Sequence, residues 1–364
     1  QSFQFENSNE VLLKFDFSGL DLKRDYNFVV KTPEGSIVDQ RIFQTLALKT
    51  AFSKIALISC MSDVQEGQDE IWQQLQSSNP EALFFLGDNS YLQLGIEGFI
   101  KKLTPRKIWD RHMETRQRLH VFHWSRLRPI FAIWDDNDYS EKDSDGTSAL
   151  KPASAKIFRQ FFPLLKQDAS FHQGPGIAFA LHWKKNHFYF LDNRSFRTRS
   201  GVRSESHFGE EQTQWLISHM KKQKGVQWLI GGGQFFGGYH RFESFQKNHP
   251  NDFKKFLQKL KALNKNVIFV SGDRHMSEVM KIPKDIFGRK SFEITSSPIH
   301  SKVYPGAIKK FPNPYQISGV DGVWNYVLLT PQVREKQKQF EVQSVGRQGQ
   351  VYFETVIGFD DDRD

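Results

Sequence analysis

A single cysteine in 364 residues, Cys60, excludes an internal disulfide and leaves one thiol to explain. Long apolar runs are missing too: ALFFL and VIFV are strand-sized, far short of the roughly 18 to 20 residues that span a bilayer as a helix. A soluble protein without a transmembrane segment is therefore expected. Lys and Arg outnumber Asp and Glu by 50 to 41, giving a net charge of +9, yet they form no dense tract and alternate with no aromatic ladder. That argues against a specific nucleic-acid module and toward anionic partners such as phosphate esters, small or polymeric. There is no internal repeat, and the acidic tail DDDRD is read as a frayed end. The first residue is Gln rather than Met, which suggests a removed leader and a periplasmic or secreted protein.

What is abundant is Phe, 34 residues of it, and 38% of the chain is apolar, enough for a large core. From Val11 to Leu46 apolar and polar residues alternate between Gly, Pro and Asp punctuation (VLLKFDF, YNFVVKT, IVDQRIFQTL), the pattern of a small antiparallel β module. Beyond Ser53 short apolar strands alternate with amphipathic helices. Strands are expected at 55–59, 82–86, 130–134, 187–192, 226–231 and 267–271, and helices at 66–77, 104–120, 154–167, 209–223 and 251–264. That order implies a layered α/β domain with buried strands. FEITSS, WNYVLLTP, QFEVQSVG and VYFETVIG return to strands, able to extend a second sheet. Residues 297–320, rich in Pro and aromatics, suit a loop draped over a site.

Ligands of open α/β domains gather beyond the carboxyl ends of the strands. Six successive strand ends here deliver Cys60 with Ser62 and Asp63; Asp88, Asn89 and Tyr91; the acids of WDDNDY at 134–139; Asp192 and Arg194; Gln234; and Asp273, Arg274 and His275. Any one of them has an ordinary explanation as a cap, a packing residue or a loop amide. Their coincidence points to an anion- or metal-binding centre. Thiolate, phenolate, carboxylate and imidazole form a mixed donor set suited to iron or zinc beside a harder cation such as calcium or magnesium. Arg194 and Arg274 can clamp phosphate oxygens, or serve as ordinary salt bridges.

The ordered set SCMSD (59–63), GDNSY (87–91), WDDND (134–138), LDNR (191–194), GGGQ (231–234) and SGDRH (271–275) resembles the PhoD-like alkaline phosphatase and phosphodiesterase family of the calcineurin-like metallophosphatase superfamily. The resemblance covers nearly the whole chain. It implies a four-layer sandwich of two mixed β-sheets flanked by helices, spanning 51–364, after a small antiparallel β module at 1–50 that looks like part of a fibronectin-like domain. It implies hydrolysis of phosphomonoesters or phosphodiesters with iron (Fe3+) and calcium. Carried over by motif, Cys60 and Tyr91 become iron ligands and Asp88 the bridging carboxylate. Asp136, Asp273 and His275 complete the metal set, while Asn89, Lys142 and Gln234 become candidates for substrate contact.

Two departures bear on activity. The family pattern W-D-D-H-[DE] has Asn137 here in place of His, and an amide can donate a hydrogen bond but not a proton near neutral pH. Loss of a general acid typically lowers rates about 100- to 10,000-fold, least for good leaving groups. The second departure is DYSEKD where relatives read D-Y-G-x-N-D, so that Lys142 either substitutes for a cation or points to solvent. The expectation is a metal-dependent phosphoesterase, attenuated at Asn137, with Asn137, Arg194 and Arg274 as catalytic candidates. The alternative is a weak or inactive relative that binds a phosphorylated ligand.

Overall fold

The computed structural model describes residues 1–6, 10–95, 102–164, 168–334 and 337–359; the DDDRD tail lies outside them. The chain opens with two separate two-stranded antiparallel sheets, β1 (Ser2–Gln4) with β2 (Val11–Leu13), and β3 (Asp25–Lys31) with β4 (Ile37–Gln44). The expected strand VLLKFDF thus shrinks to three residues, because its remaining apolar side chains, Phe15 and Phe17, turn instead onto Phe28 of β3.

Two large mixed sheets follow. One has six strands in the order β18 (Val351–Phe359), β17 (Gln337–Gly346), β16 (Asn325–Arg334), β5 (Ile55–Ile58), β6 (Ala82–Leu86) and β7 (Ile130–Ile133). The other has eight: β15 (Gln316–Asp321), β13 (Met276–Ile282), β14 (Ser291–Thr295), β12 (Asn266–Ser271), β11 (Val226–Ile230), β10 (Asn186–Phe190), β9 (Phe179–Trp183) and β8 (Phe171–Gln173). The runs β5-β6-β7 and β10-β11-β12-β14 are parallel, so within each run the carboxyl ends share one rim.

Period-two alternation explains the layering. On β11, Trp228 and Ile230 enter the core shared with the six-stranded sheet, while Leu229 faces the opposite way. On β12, Ile268 and Val270 point inward and Val267 and Phe269 outward. Between the sheets Phe84 meets Phe188 and Phe190 at 5.0 Å between ring centroids. Burying each such ring contributes about 1.5–3 kcal/mol, which accounts for much of the Phe content. The outward residues are covered by α5 (Glu210–Lys222) and α7 (Pro250–Ala262), which bring Leu216, Met220, Phe256 and Leu260. Helices α1 (Gln68–Ser77), α2 (Pro105–Arg118) and α4 (Lys151–Phe161) complete the layers, joined by the single-turn helices α3 (Asp136–Tyr139), α6 (Phe245–Asn248), α8 (Lys284–Phe287) and α9 (Ala307–Lys310).

Besides β1, four strands of the large sheets escape the sequence reading. β8 and β9 are short, and β13 carries Ser277 and Glu278, which are polar yet fully buried. β15 forms part of the segment expected to be a loop at 297–320, since QISGVD looks like turn chemistry yet pairs along β13. FEITSS enters the eight-stranded sheet as β14, whereas the three later strands extend the six-stranded one. The helix expected at 154–167 begins earlier, at Lys151, and ends at Phe161, before the undescribed residues 165–167.

Candidate metal and phosphate site

The loops after β5 and β6 are joined, and those after β6, β7 and β12 line a cavity of about 1650 Å³. Backbone bonds lock the first two together: Met61 N donates to the Asp88 carbonyl at 2.9 Å and Cys60 N to the Gly87 carbonyl at 3.3 Å. Cys60, Asp88, Asp273 and His275 all hold left-handed backbone conformations, with φ of 57°, 53°, 65° and 53°. Non-glycine residues rarely adopt that region, at a cost of about 1–3 kcal/mol each, and such residues concentrate at functional sites. Four of the six residues expected as metal ligands carry this strain.

One potential ligand atom from each of Cys60, Asp88 and His275 lies within 4.8 Å of the other two, and the same holds for Asp88, Asp135 and Asp136. Asp88 belongs to both groups, as a bridging carboxylate would. The Cys60 thiol donates to Asp88 Oδ2 at 3.6 Å and accepts from Ser297 Oγ at 3.2 Å. The Tyr91 hydroxyl meets Ser301 Oγ at 3.0 Å. His275 bonds the Lys302 carbonyl through Nδ1, which orients the ring and leaves Nε2 as its ligand atom. Asp88 Oδ1 and Asp135 Oδ2 are buried without a hydrogen-bond partner among the described residues.

The electrostatics show a deficit of positive charge. Burial, reinforced by Asp88 and Asp273, pushes the Cys60 thiol well up from its ordinary range. Burial, then Asp136 and Asp135, pushes Asp88 well up, and burial, then Asp135 and Asp136, does the same to Asp273. The Tyr91 phenol rises through burial and the neighbouring Cys60 and Asp88. Burial lowers His275 to about 4, keeping its imidazole neutral. A cation among these groups would reverse each of the acid shifts. The orphaned carboxylate oxygens and the donor set therefore fit one or two metal ions.

The crowded stretch WDDNDY separates into distinct jobs. Trp134 Nε1 donates to Asp192 at 2.8 Å. Asp135 forms a buried ion pair with Arg194 at 2.6 Å and brackets α3 in a capping box with Asp138. Asp138 also accepts from Ser90 N at 2.8 Å, so it fixes the Asp88 loop and does not line the cavity. Asp136 does line it, and Asn137 Nδ2 donates to Asp88 Oδ2 at 3.0 Å and Asp136 Oδ1 at 3.1 Å.

Tyr91, Lys142, Asp273, Arg274 and His275 also line the cavity, with Cys60 buried beneath it. Arg274 is 8% exposed, forms no ion pair among the described residues and has a buried, unpartnered Nε. Asn89, Arg194 and Gln234 do not line it, contrary to what direct contact with substrate requires. Asn89 donates to the Ile133 carbonyl at 2.7 Å. Gln234 Nε2 is held by Glu278 and Thr295 at 2.8 and 2.9 Å. Arg194 commits its guanidinium to Asp135, Glu243 and the Ser144 carbonyl. Burial opposes its charge, but Asp135 and Glu243 outweigh that and push it well up. Asp63 is likewise closed off by Arg111 at 2.6 Å.

The sequence reading did not single out Asp143, Arg241, Phe242, Glu243 and Lys310, all on the cavity wall. Tyr304 and Phe311 belong to the segment expected to drape over the site, and they do line it. The stretch after GGGQ carried no comparable signal, since HRFES reads as an ordinary polar loop.

Among solved structures, the chain is similar to one described as the structure of PhoD, with a TM-score of 0.73 at 15% identity over 93% of this chain and 75% of that one. It also matches Yfce, a phosphoesterase from E. coli, at 11% identity over 83% of this chain and 98% of that one, but with a TM-score of only 0.32. No curated protein matches it in sequence. The first similarity establishes the fold, two mixed sheets flanked by helices. The profile of the PhoD-like phosphatases matches residues 55–351, a span that includes all six motifs, and the chain belongs to the PhoD-like phosphatase family.

Proposed function

We propose that the protein hydrolyses phosphate esters, monoester or diester, at a metal centre held by Cys60, Asp88, Tyr91, Asp136, Asp273 and His275, with Asp88 shared between two ions. The observation that carries this reading is the double membership of Asp88 in two ligand clusters, together with its orphaned Oδ1. Iron with calcium follows from the family resemblance; the donor set also accommodates zinc or magnesium. Such ions would polarise a phosphoryl oxygen and lower the pKa of water from about 15.7 toward about 7. Arg274 would hold the phosphoryl oxygens through charge-assisted hydrogen bonds, supported by its buried, unpartnered Nε and the lack of an ion pair among the described residues. Asn137 would orient an oxygen without protonating the leaving group, which leaves alkyl esters slow. Asn89, Arg194 and Gln234 would act as positioning residues beneath the cavity. The reaction would belong to residues 51–364, a reading supported by a cavity whose lining among the described residues runs from Asp88 to Phe311.

The test is Asp88→Asn. Turnover of bis(p-nitrophenyl) phosphate and bound metal should fall together while the far-ultraviolet circular dichroism stays unchanged; full retention of both would sink the assignment.

A further inference from the structure

The mouth of the cavity carries chemistry that a bare phosphate does not need. Arg199, Arg241 and Lys310 are exposed on its wall and make no ion pair among the described residues; Arg241 lies over the Phe242 ring at 5.5 Å and Lys310 over the Phe311 ring at 5.7 Å. Beside them stand three aromatic rings. Phe242 is 41% and Tyr304 49% exposed, and Phe242 meets Phe311 at 5.2 Å. The rings connect to the reaction end, because Arg274 lies over Phe242 at 4.8 Å and Tyr304 packs on His275 at 5.5 Å. Exposed aromatics beside cations that have no carboxylate partner are the ordinary means of holding a planar base and its phosphates. At about 1650 Å³ the cavity has room for both.

The leaving group is constrained from the other side. Asn137, the side chain over Asp88 and Asp136, cannot deliver a proton. A departing phosphate has a second pKa of about 6 and needs none. We propose that the bond cut is a phosphoanhydride, and that the substrate is a nucleoside polyphosphate. Its terminal phosphoryl group meets Arg274, its inner phosphate meets Arg241 and Lys310, and its base rests on Phe242 and Tyr304. The oxygen of water bonds to the terminal phosphorus and the bond from that phosphorus to the bridging oxygen breaks. The electron pair stays on the bridging oxygen, which becomes a phosphate oxygen of the shortened nucleotide; the water proton passes to solvent, and inorganic phosphate is released. This inference rests on the phosphoesterase reading.

Calorimetry on the full chain compares α,β-methylene-ADP, whose P–C–P bridge cannot be hydrolysed, with methylenediphosphonate, which lacks the nucleoside. The nucleotide should bind about tenfold tighter. Phe242→Ala should erase that margin while methylenediphosphonate still binds, which also reports that the variant is folded. Equal affinities in the unsubstituted protein would overturn the proposal in favour of a base-free polyphosphate. In parallel, the metal-loaded protein is given ADP and bis(p-nitrophenyl) phosphate, and release of phosphate from ADP is the supporting result. Cleavage of the aryl diester but not of ADP would overturn this inference and leave the phosphoesterase reading standing. Cleavage of neither would overturn both.

Discussion

The amide of Asn137 donates to Asp88 Oδ2 at 3.0 Å, so a group without a transferable proton covers the carboxylate common to both ligand clusters. From this contact follows the expected effect of Asn137→His. Restoring an imidazole should raise kcat/KM for a glycerophosphodiester by about 100- to 10,000-fold and much less for bis(p-nitrophenyl) phosphate, whose leaving group departs unaided. Steady-state kinetics on the two substrates decide it; equal gains on both would show that proton delivery is not what Asn137 lacks.

Arg194 carries a second prediction. It joins Asp135 at 2.6 Å and Glu243 at 2.8 Å, and Asp135 is as deeply buried as Arg194 itself. Arg194→Met strands Asp135, while Glu243 keeps Arg197, and should cost about 3–5 kcal/mol in denaturant unfolding. Adding Asp135→Leu should recover much of the loss. A single-variant loss below about 1 kcal/mol would mean that the pair is not the lock described here.

The same network sets an acid limb. Burial works against the Glu243 carboxylate, but Arg194 and Arg197 outweigh it and bring its pKa from 4.5 to about 2. A carboxyl lowered in the folded state stabilises above its unfolded pKa and loses that contribution as pH falls through its folded one. Stability should therefore decline between about pH 4.5 and 2, and Glu243→Gln should flatten the decline. Unfolding midpoints across this window supply the check, and an unchanged slope in the variant would contradict it.

The spatial order of strands was largely beyond sequence reasoning, although the buried strands themselves stood out as apolar runs. Asp88, Asp136, Asp273 and His275 were legible because each follows such a run and the parallel strands share a rim. Asn89, Arg194 and Gln234 share that position but point into the packing between loops, a distinction of rotamer and partner that spacing cannot carry. β13 was missed because Glu278 sits buried in it, satisfied by Gln234, Asn313 and Gln316, contacts set by distant segments.

Glycine at 232 offers a steric test of the Asp135 lock. A Cβ there would fall 2.8 Å from Asp135 Cβ, Asp135 Cγ and Asn193 Nδ2. Gly232→Ala should displace Asp135 and cost about 1–3 kcal/mol, with reduced turnover. A melting curve matching the unsubstituted protein would show that the contact relaxes freely.

Cys60 gives an optical handle. If it and Tyr91 hold ferric iron, the iron-loaded protein should absorb in the visible, and Cys60→Ser should shift or bleach that band while the protein remains folded. An identical spectrum in the variant would remove Cys60 from the ligand set.

The most direct measurement is hydrolysis of bis(p-nitrophenyl) phosphate by the full chain as purified, after chelation, and after return of iron with calcium. The account predicts turnover that chelation abolishes and the metals restore. No turnover above the uncatalysed background in any metal state would contradict it.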